Sequence, residues 1–249
     1  MSVDALRIGT SGWAYKHWEK GVFYPVGLAT KDELAFYARH YDTAEVNYSF
    51  YRLPQAKTYE NWKEGTPEDF LFSVKASRFI THIKRLRDVD EAWPRFIENA
   101  LLLEEKLAPV LFQFPQNFVY DLDRLRNFLT LAEQTNRSRE NPVRFAFEFR
   151  HESWFQTDVY KLLNEHNSAL CIADGPKYPR VEELTADFSY IRYHGKKLTP
   201  NYSKKDLVRE ARFIEKLLQK ESQLFVYFNN DTGGYAIKNA DYLKELLAT

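Results

Sequence analysis

Val143-Arg144-Phe145-Ala146-Phe147-Glu148-Phe149-Arg150 is the stretch that decides the fold. Side chains alternate across a strand, so Phe145, Phe147 and Phe149 share one face and Ala146, Glu148 and Arg150 share the other. Three large rings on one side need a covering layer of helices. A small residue followed by two charges on the other side suits a crowded interior that opens onto a polar mouth. A strand covered on both faces and ending in charge is what a closed parallel barrel requires.

Working outward, seven further runs read the same way: Leu6–Thr10, Thr43–Asn47, Phe70–Lys75, Pro109–Phe114, Ala169–Ala173, Tyr190–His194 and Leu224–Asn229. Amphipathic stretches lie between them. In Ser203–Lys220, Leu207, Val208, Ala211, Ile214, Leu217 and Leu218 recur at helical spacing behind a Ser203 N-cap. Thr30 with Glu33 reads as a capping box opening the first helix. Asp121 reads as the cap of a helix whose inner face carries Leu122, Leu125, Phe128, Leu129 and Ala132, and Tyr235–Leu247 closes the chain. Only Asp174–Ser189 separates the sixth and seventh strands, which predicts a truncated sixth helix, one turn near Val181–Leu184. Alternating β and α units imply a parallel sheet. Eight of them in 249 residues predict one α/β domain over residues 1–249, a (β/α)8 barrel of the TIM type.

Composition narrows the function. Lys plus Arg equals Asp plus Glu, 35 each, a balance that disfavours coating long nucleic acid. Cys171 is the only cysteine, so neither an intrachain disulfide nor a multi-cysteine metal site can form, which suits a reducing cytoplasm. Met1–Arg7 has no apolar leader, and no stretch reaches the roughly 18 apolar residues of a membrane span.

In such a barrel, chemistry sits at the C-terminal ends of the strands. Those ends supply Trp13 on the first strand, Glu45, Asn47 and Tyr48 on the second, Lys75 on the third and Gln113 on the fourth. Then come Glu148 and Arg150, Asp174, Arg192 with His194 and Gly195, and finally Asn229 and Asn230. Burying such groups unpaired costs several kcal/mol each, so a purely structural interior would be filled more cheaply by apolar layers. A satisfied salt-bridge plug is the structural alternative.

The strings Gly9-Thr10-Ser11-Gly12-Trp13, Glu45-Val46-Asn47-Tyr48-Ser49-Phe50-Tyr51, Lys75-Ala76-Ser77, Gln113-Phe114-Pro115, Glu148-Phe149-Arg150, Arg192-Tyr193-His194-Gly195 and Tyr227-Phe228-Asn229-Asn230 together resemble the YecE-like family, a domain-of-unknown-function family. The resemblance runs in order through every strand but the sixth. It implies a (β/α)8 barrel in a bacterial cytoplasm and brings no reaction with it.

The residues support several chemistries. Gly233 and Gly234, at the start of the last helix, would let backbone N–H groups approach a phosphate, with Arg192 and Lys75 adding charge. Glu45, Glu148 and His194 are candidate acid–base groups; Lys75 is a candidate electrophile, base or Schiff-base nucleophile, and Arg150 stabilises negative charge. Glu45, Glu148, Asp174 and His194 are ligand types for a divalent metal, but Arg150, Arg192 and Lys75 would repel one. The basic run Arg78, His82, Lys84, Arg85 and Arg87 suits a short nucleic-acid strand, though Asp88, Asp90 and Glu91 follow at once. The favoured expectation is a metal-independent enzyme, with no cofactor favoured, acting on a small anionic molecule, phosphorylated or not, that is sugar-like or nucleotide-like. A metal-dependent hydrolase or isomerase, a nuclease-like barrel and a non-catalytic binder are the alternatives.

Overall fold

The computed structural model describes residues 5–137, 139–220 and 223–248. Its strands are β1 (Leu6–Thr10), β2 (Thr43–Val46), β3 (Leu71–Lys75), β4 (Leu107–Gln113), β5 (Phe145–Glu148), β6 (Ala169–Leu170), β7 (Ile172–Asp174), β8 (Phe188–Tyr193) and β9 (Gln223–Phe228). All pair in parallel, in the order β6-β5-β4-β3-β2-β1-β9-β8-β7. β6 and β7 are two halves of one strand interrupted at Cys171. The first half pairs with β5 and the second with β8, so both edges of the sheet belong to one strand and the barrel closes. Cys171 bridges the break, its N–H donating to the Phe147 carbonyl (2.9 Å).

The strand limits move where backbone chemistry intervenes. β4 begins at Leu107, two residues before the start expected at Pro109. Proline has no N–H for the ladder, and the β3–β4 register shifts there, from Phe72 opposite Leu107 to Val74 opposite Val110. The Ser73 hydroxyl, donating to the Pro109 carbonyl (2.7 Å), ties the two strands across the irregularity. At Gly9, a Cβ would stand 2.2 Å from the Thr43 carbonyl oxygen, so no side chain fits between β1 and β2.

Helices α1 (Glu33–Tyr37), α2 (Tyr48–Tyr51), α3 (Ala56–Glu64), α4 (Ala92–Ala100), α5 (Leu122–Glu133), α6 (Thr157–Glu165), α7 (Lys204–Leu217) and α8 (Tyr235–Leu247) surround the barrel. α7 has the full capping box, Ser203 with Asp206, and Asp121 caps α5 by accepting from the Arg124 N–H (3.1 Å). Thr30 does not cap α1. It lies inside a 3-10 turn, Thr30–Asp32, that leads into the helix without a side-chain cap. The turn expected at Val181–Leu184 does not form either, and the β7–β8 connection runs without helix from Gly175 to Asp187. Phe145, Phe147 and Phe149 pack outward with Phe112, Phe114 and Phe128 in the layer between strands and helices, whereas Ala146 faces the interior.

The interior itself is not aliphatic. Ala108, Leu111, Phe188 and Phe225 are joined by two tyrosines whose hydroxyls reach polar partners on other strands. Tyr227 meets the Thr43 hydroxyl (2.7 Å); Tyr190 meets Ser73 (2.6 Å) and donates to Glu45 (2.7 Å). Above them Arg192, fully buried, binds Glu45 through two parallel N–H···O bonds (2.9 and 2.7 Å) and also reaches Glu148. Desolvation raises both carboxyl pKa values, but the Arg192 charge and hydrogen bonds outweigh it, leaving Glu45 low and Glu148 lower still.

Breaking a buried ion pair by removing one partner costs about 3–5 kcal/mol. Arg192→Met should therefore lower Tm by roughly 6–20 °C for a chain of this size. Adding Glu45→Gln and Glu148→Gln should recover part of the loss, as read by thermal or urea unfolding. Both carboxyls titrate lower in the fold than their ordinary 4.5. Their contribution is complete above that value and disappears as acid carries pH through the lower folded values. Stability should thus fall below about pH 4.5 more steeply in the native chain than in the triple variant.

Candidate active site

The C-terminal mouth divides into a closed half and an open half. On the closed half the Glu148 carboxylate accepts from Arg150 Nε (2.8 Å) on one oxygen and from Arg192 and His194 Nε2 (3.3 Å) on the other. His194 Nδ1 lies 3.1 Å from the Asn229 amide nitrogen, which assigns it as the acceptor and places the ring proton on Nε2. Burial pushes the His194 pKa down, so the ring is neutral with both nitrogens engaged. Tyr178, from the helix-free β7–β8 connection, covers this half. Its ring lies under the Arg150 guanidinium (4.7 Å) and edge-on to His194 (5.2 Å), and the Gln116 amide donates to the Lys177 carbonyl (3.1 Å) to hold the segment down.

The open half is a cavity of about 680 Å³ lined by Trp13, Tyr15, Asn47, Tyr48, Tyr51, Trp62, Lys75 and Asn229, among others. Trp13 meets Trp62 edge-to-face (5.4 Å), giving a rigid aromatic wall, while Tyr48 and Tyr51 stand exposed at the rim. Asn47 donates to the Ser11 carbonyl (3.0 Å), leaving its own Oδ1 and the Ser11 hydroxyl buried with no hydrogen-bond partner among the described residues.

Lys75 forms the floor. The Ser49 hydroxyl donates to its carbonyl (2.7 Å) and fixes the end of β3. Its Nζ lies 4.1 Å from the centre of the Phe50 ring, and among the described residues no carboxylate comes within 4.0 Å of it. Desolvation, followed by the Arg192 charge, lowers the Lys75 pKa from 10.5 to about 7; Glu45 and Glu148 oppose the shift but are committed to Arg192. Beside it, His82 follows β3 in a five-residue π-helical turn, Phe79–Ile83. Burial, then the charges of Lys75, Arg150, Arg78 and Arg85, pulls His82 to about 4, so the field at this rim is positive. The backbone just beyond is strained, with Arg85, Leu86 and Asp88 all at positive φ.

Sequence reasoning gathered sixteen candidate residues, and the fold sorts them. Trp13, Asn47, Tyr48, Lys75 and Asn229 line the cavity. Glu45, Glu148, Arg150, Arg192 and His194 form the adjoining ion-pair network, in which both candidate acid–base carboxylates are held by arginine. Gln113 is buried, its amide turned to the Phe114 carbonyl (2.6 Å). Asp174 lies apart, paired with Lys196 (2.6 Å) and Arg180 (3.0 Å) and bonded by the Tyr202 hydroxyl (2.7 Å), so it shares no site with Glu45 and Glu148. Among the described residues no three His, Cys, Asp or Glu side chains converge as metal ligands. Gly195, at φ 92°, is required by packing, since a Cβ would stand 2.9 Å from Pro200. Asn230 bonds Pro200 and Asn239 (2.8 Å each). Gly233 and Gly234 take positive φ before α8, but the Asp231 carboxylate faces the first-turn amide of Ala236 and binds Trp18 (2.8 Å) and His17 (2.6 Å). A phosphate at that helix start would have to displace it.

Trp62 is the part of the cavity wall that a survey of strand ends misses, because it comes from α3. The available signal was Tyr59 and Trp62 one helical turn apart, both needing cover.

No described helix is long and apolar enough to cross a membrane. The chain is 27% identical to the UPF0759 protein YunF of Bacillus subtilis (strain 168) over 97% of its own length and 94% of that protein. It is 28% identical to the UPF0759 protein YecE of Escherichia coli (strain K12), over 60% of this chain and 50% of that one. A crystal structure of a DUF72 family protein from Thermotoga maritima MSB8 superposes with a TM-score of 0.84 at 28% identity, covering 98% of this chain and all of the other. One from Enterococcus faecalis V583 shares the fold at 21% identity, with a TM-score of 0.80 and full coverage of both chains. The family model described as "Protein of unknown function DUF72" matches residues 7–249. The protein is a member of the DUF72 family, folded as a TIM-type barrel with its strand-end residues gathered at one mouth.

Proposed function

We propose that the chain is an enzyme acting on a small anionic, sugar-like molecule, with Lys75 as the group that transfers protons. One observation carries this reading. The fixed charges of Glu45, Glu148, Arg150 and Arg192 cancel among themselves, and Lys75, which lines the cavity, is left without a carboxylate partner. An amine that loses its proton near neutral pH can both take and return one under working conditions, which is where acid–base groups are most effective. The Trp13–Trp62 wall and the rim tyrosines offer flat surfaces for the apolar face of a sugar ring, and the side chains of Asn47 and Asn229 offer partners for hydroxyls. The cations around His82 favour a ligand with negative charge. Glu45 and Glu148 then act indirectly, by holding Arg192 where it keeps the Lys75 ammonium unfavourable.

Sugar phosphates should raise Tm where neutral sugars and inorganic phosphate alone do not. At 100 times Kd the gain is about 2.7 kcal/mol, or roughly 5–10 °C for this chain length. No shift with any phosphorylated compound would remove the anionic ligand from the reading.

Lys75→Met should abolish that shift and yet stabilise the empty protein by a few kcal/mol at pH 7, because burying an amine whose pKa falls from 10.5 to about 7 costs folding free energy. The sign follows from proton counting: between pH 7 and 10.5 the unfolded chain holds the proton that the folded chain has lost. The native protein therefore gains stability with rising pH, and the advantage of the variant should vanish near pH 10.5. Urea titrations at several pH values read this directly. A destabilised variant with the same pH profile as the native chain would contradict it.

A further inference from the structure

The geometry points to Lys75 as a carbonyl-capturing amine. Resting on the reading above, it assigns the ligand to the aldehydes and ketones and gives the site a covalent imine step. Three observations support this. Lys75 lines an open cavity, and 9% of the residue is exposed there. No carboxylate of the described residues lies within 4.0 Å to hold it as an ammonium, unlike Lys196, whose Nζ is bound to Asp174 (2.6 Å). Its Nζ faces the Phe50 ring (4.1 Å), and the apolar side chains of Val46 and Trp13 line the same cavity.

The charged and titratable groups around Nζ come from every side. Glu45 projects from β2, Glu148 from the end of β5, Arg150 from the chain just after it, Arg192 from β8 and His82 from the turn after β3. Both glutamates are taken up by Arg192. Their combined effect, with burial first, leaves the amine free at about half occupancy near pH 7. The Phe50 ring face favours the ammonium and offsets part of this, as cation–π contacts do.

The step balances without an oxidant or a cofactor. The Nζ lone pair forms a C–N bond as the carbonyl π bond opens and its oxygen takes up a proton. The C–O bond then breaks as C=N forms, and the oxygen leaves as water, having gained in total the two protons that the amine gives up. One further proton, taken up from solvent, turns this neutral imine into a positively charged iminium, which draws electrons from the neighbouring C–H or C–C bond, as Schiff-base lysines do.

Reductive methylation with 13C-formaldehyde and cyanoborohydride, read by peptide mass mapping, tests the amine with a probe small enough to enter. At pH 7 an ordinary lysine is almost wholly protonated, so Lys75 should be modified at least roughly tenfold faster than exposed lysines. That lead should shrink as pH rises from 7 towards 10.5, where exposed lysines lose their protons as well. Dihydroxyacetone phosphate with borohydride should leave an adduct at Lys75, equal to the ketone less one oxygen, that Lys75→Arg lacks. If Lys75 is modified more slowly than exposed lysines at pH 7, the imine proposal is overturned, even if sugar phosphates still raise Tm and the anionic-ligand reading stands. If Lys75 reacts as expected but no sugar phosphate shifts Tm, the amine chemistry is upheld and the ligand class of the preceding section fails.

Discussion

A single buried guanidinium, Arg192, governs the upper barrel. It sits where Glu45 and Glu148 converge from opposite sides of the interior, and none of the three is exposed to water. Two carboxylates this deep would repel each other and titrate upward if left alone. The planar fork of Arg192 satisfies one of them in bidentate fashion while still reaching the other, which a lysine could not do. The Tyr190 and Ser73 hydroxyls below and the Arg150 and His194 side chains above then have defined partners. This layer separates the tyrosine-filled interior from the cavity, so the geometry of the floor follows from it.

The same layer sets the electrostatics of its neighbour. Lys75 lies near two negative and two positive groups, and a naive count would leave its charge unaffected. The count misleads, because the carboxylates direct their lone pairs at Arg192 and Arg150, and the burial of Lys75 outweighs the attraction that remains. On the proposed reading this network is support for Lys75, the neighbouring side chain that it does not include.

Much of this was legible in the sequence. The Val143–Arg150 run fixed the inward and outward faces of β5 correctly, since alternation is a local property of extended backbone. The same logic placed Glu45 and Arg192 inside. Pairing was not legible: nothing local to Glu148 says that Arg192, 44 residues away, will neutralise it. Trp62 was hidden because it enters from a helix, outside any survey of strand ends. The Thr30 cap failed because a 3-10 turn consumed the residues that would have formed it, and the β7–β8 helix failed because its chain lies over the mouth instead.

That last segment gives the mouth a handedness. With Tyr178 closing one half and the Trp13–Trp62 wall lining the other, a flat ligand has one sector to enter by and one surface to lie against. The two sides of a trigonal carbon resting there are no longer equivalent, since one faces the tryptophans and the other the floor. For the ligand proposed above, selection between mirror-image outcomes would follow from the shape of the opening before any bond is made or broken.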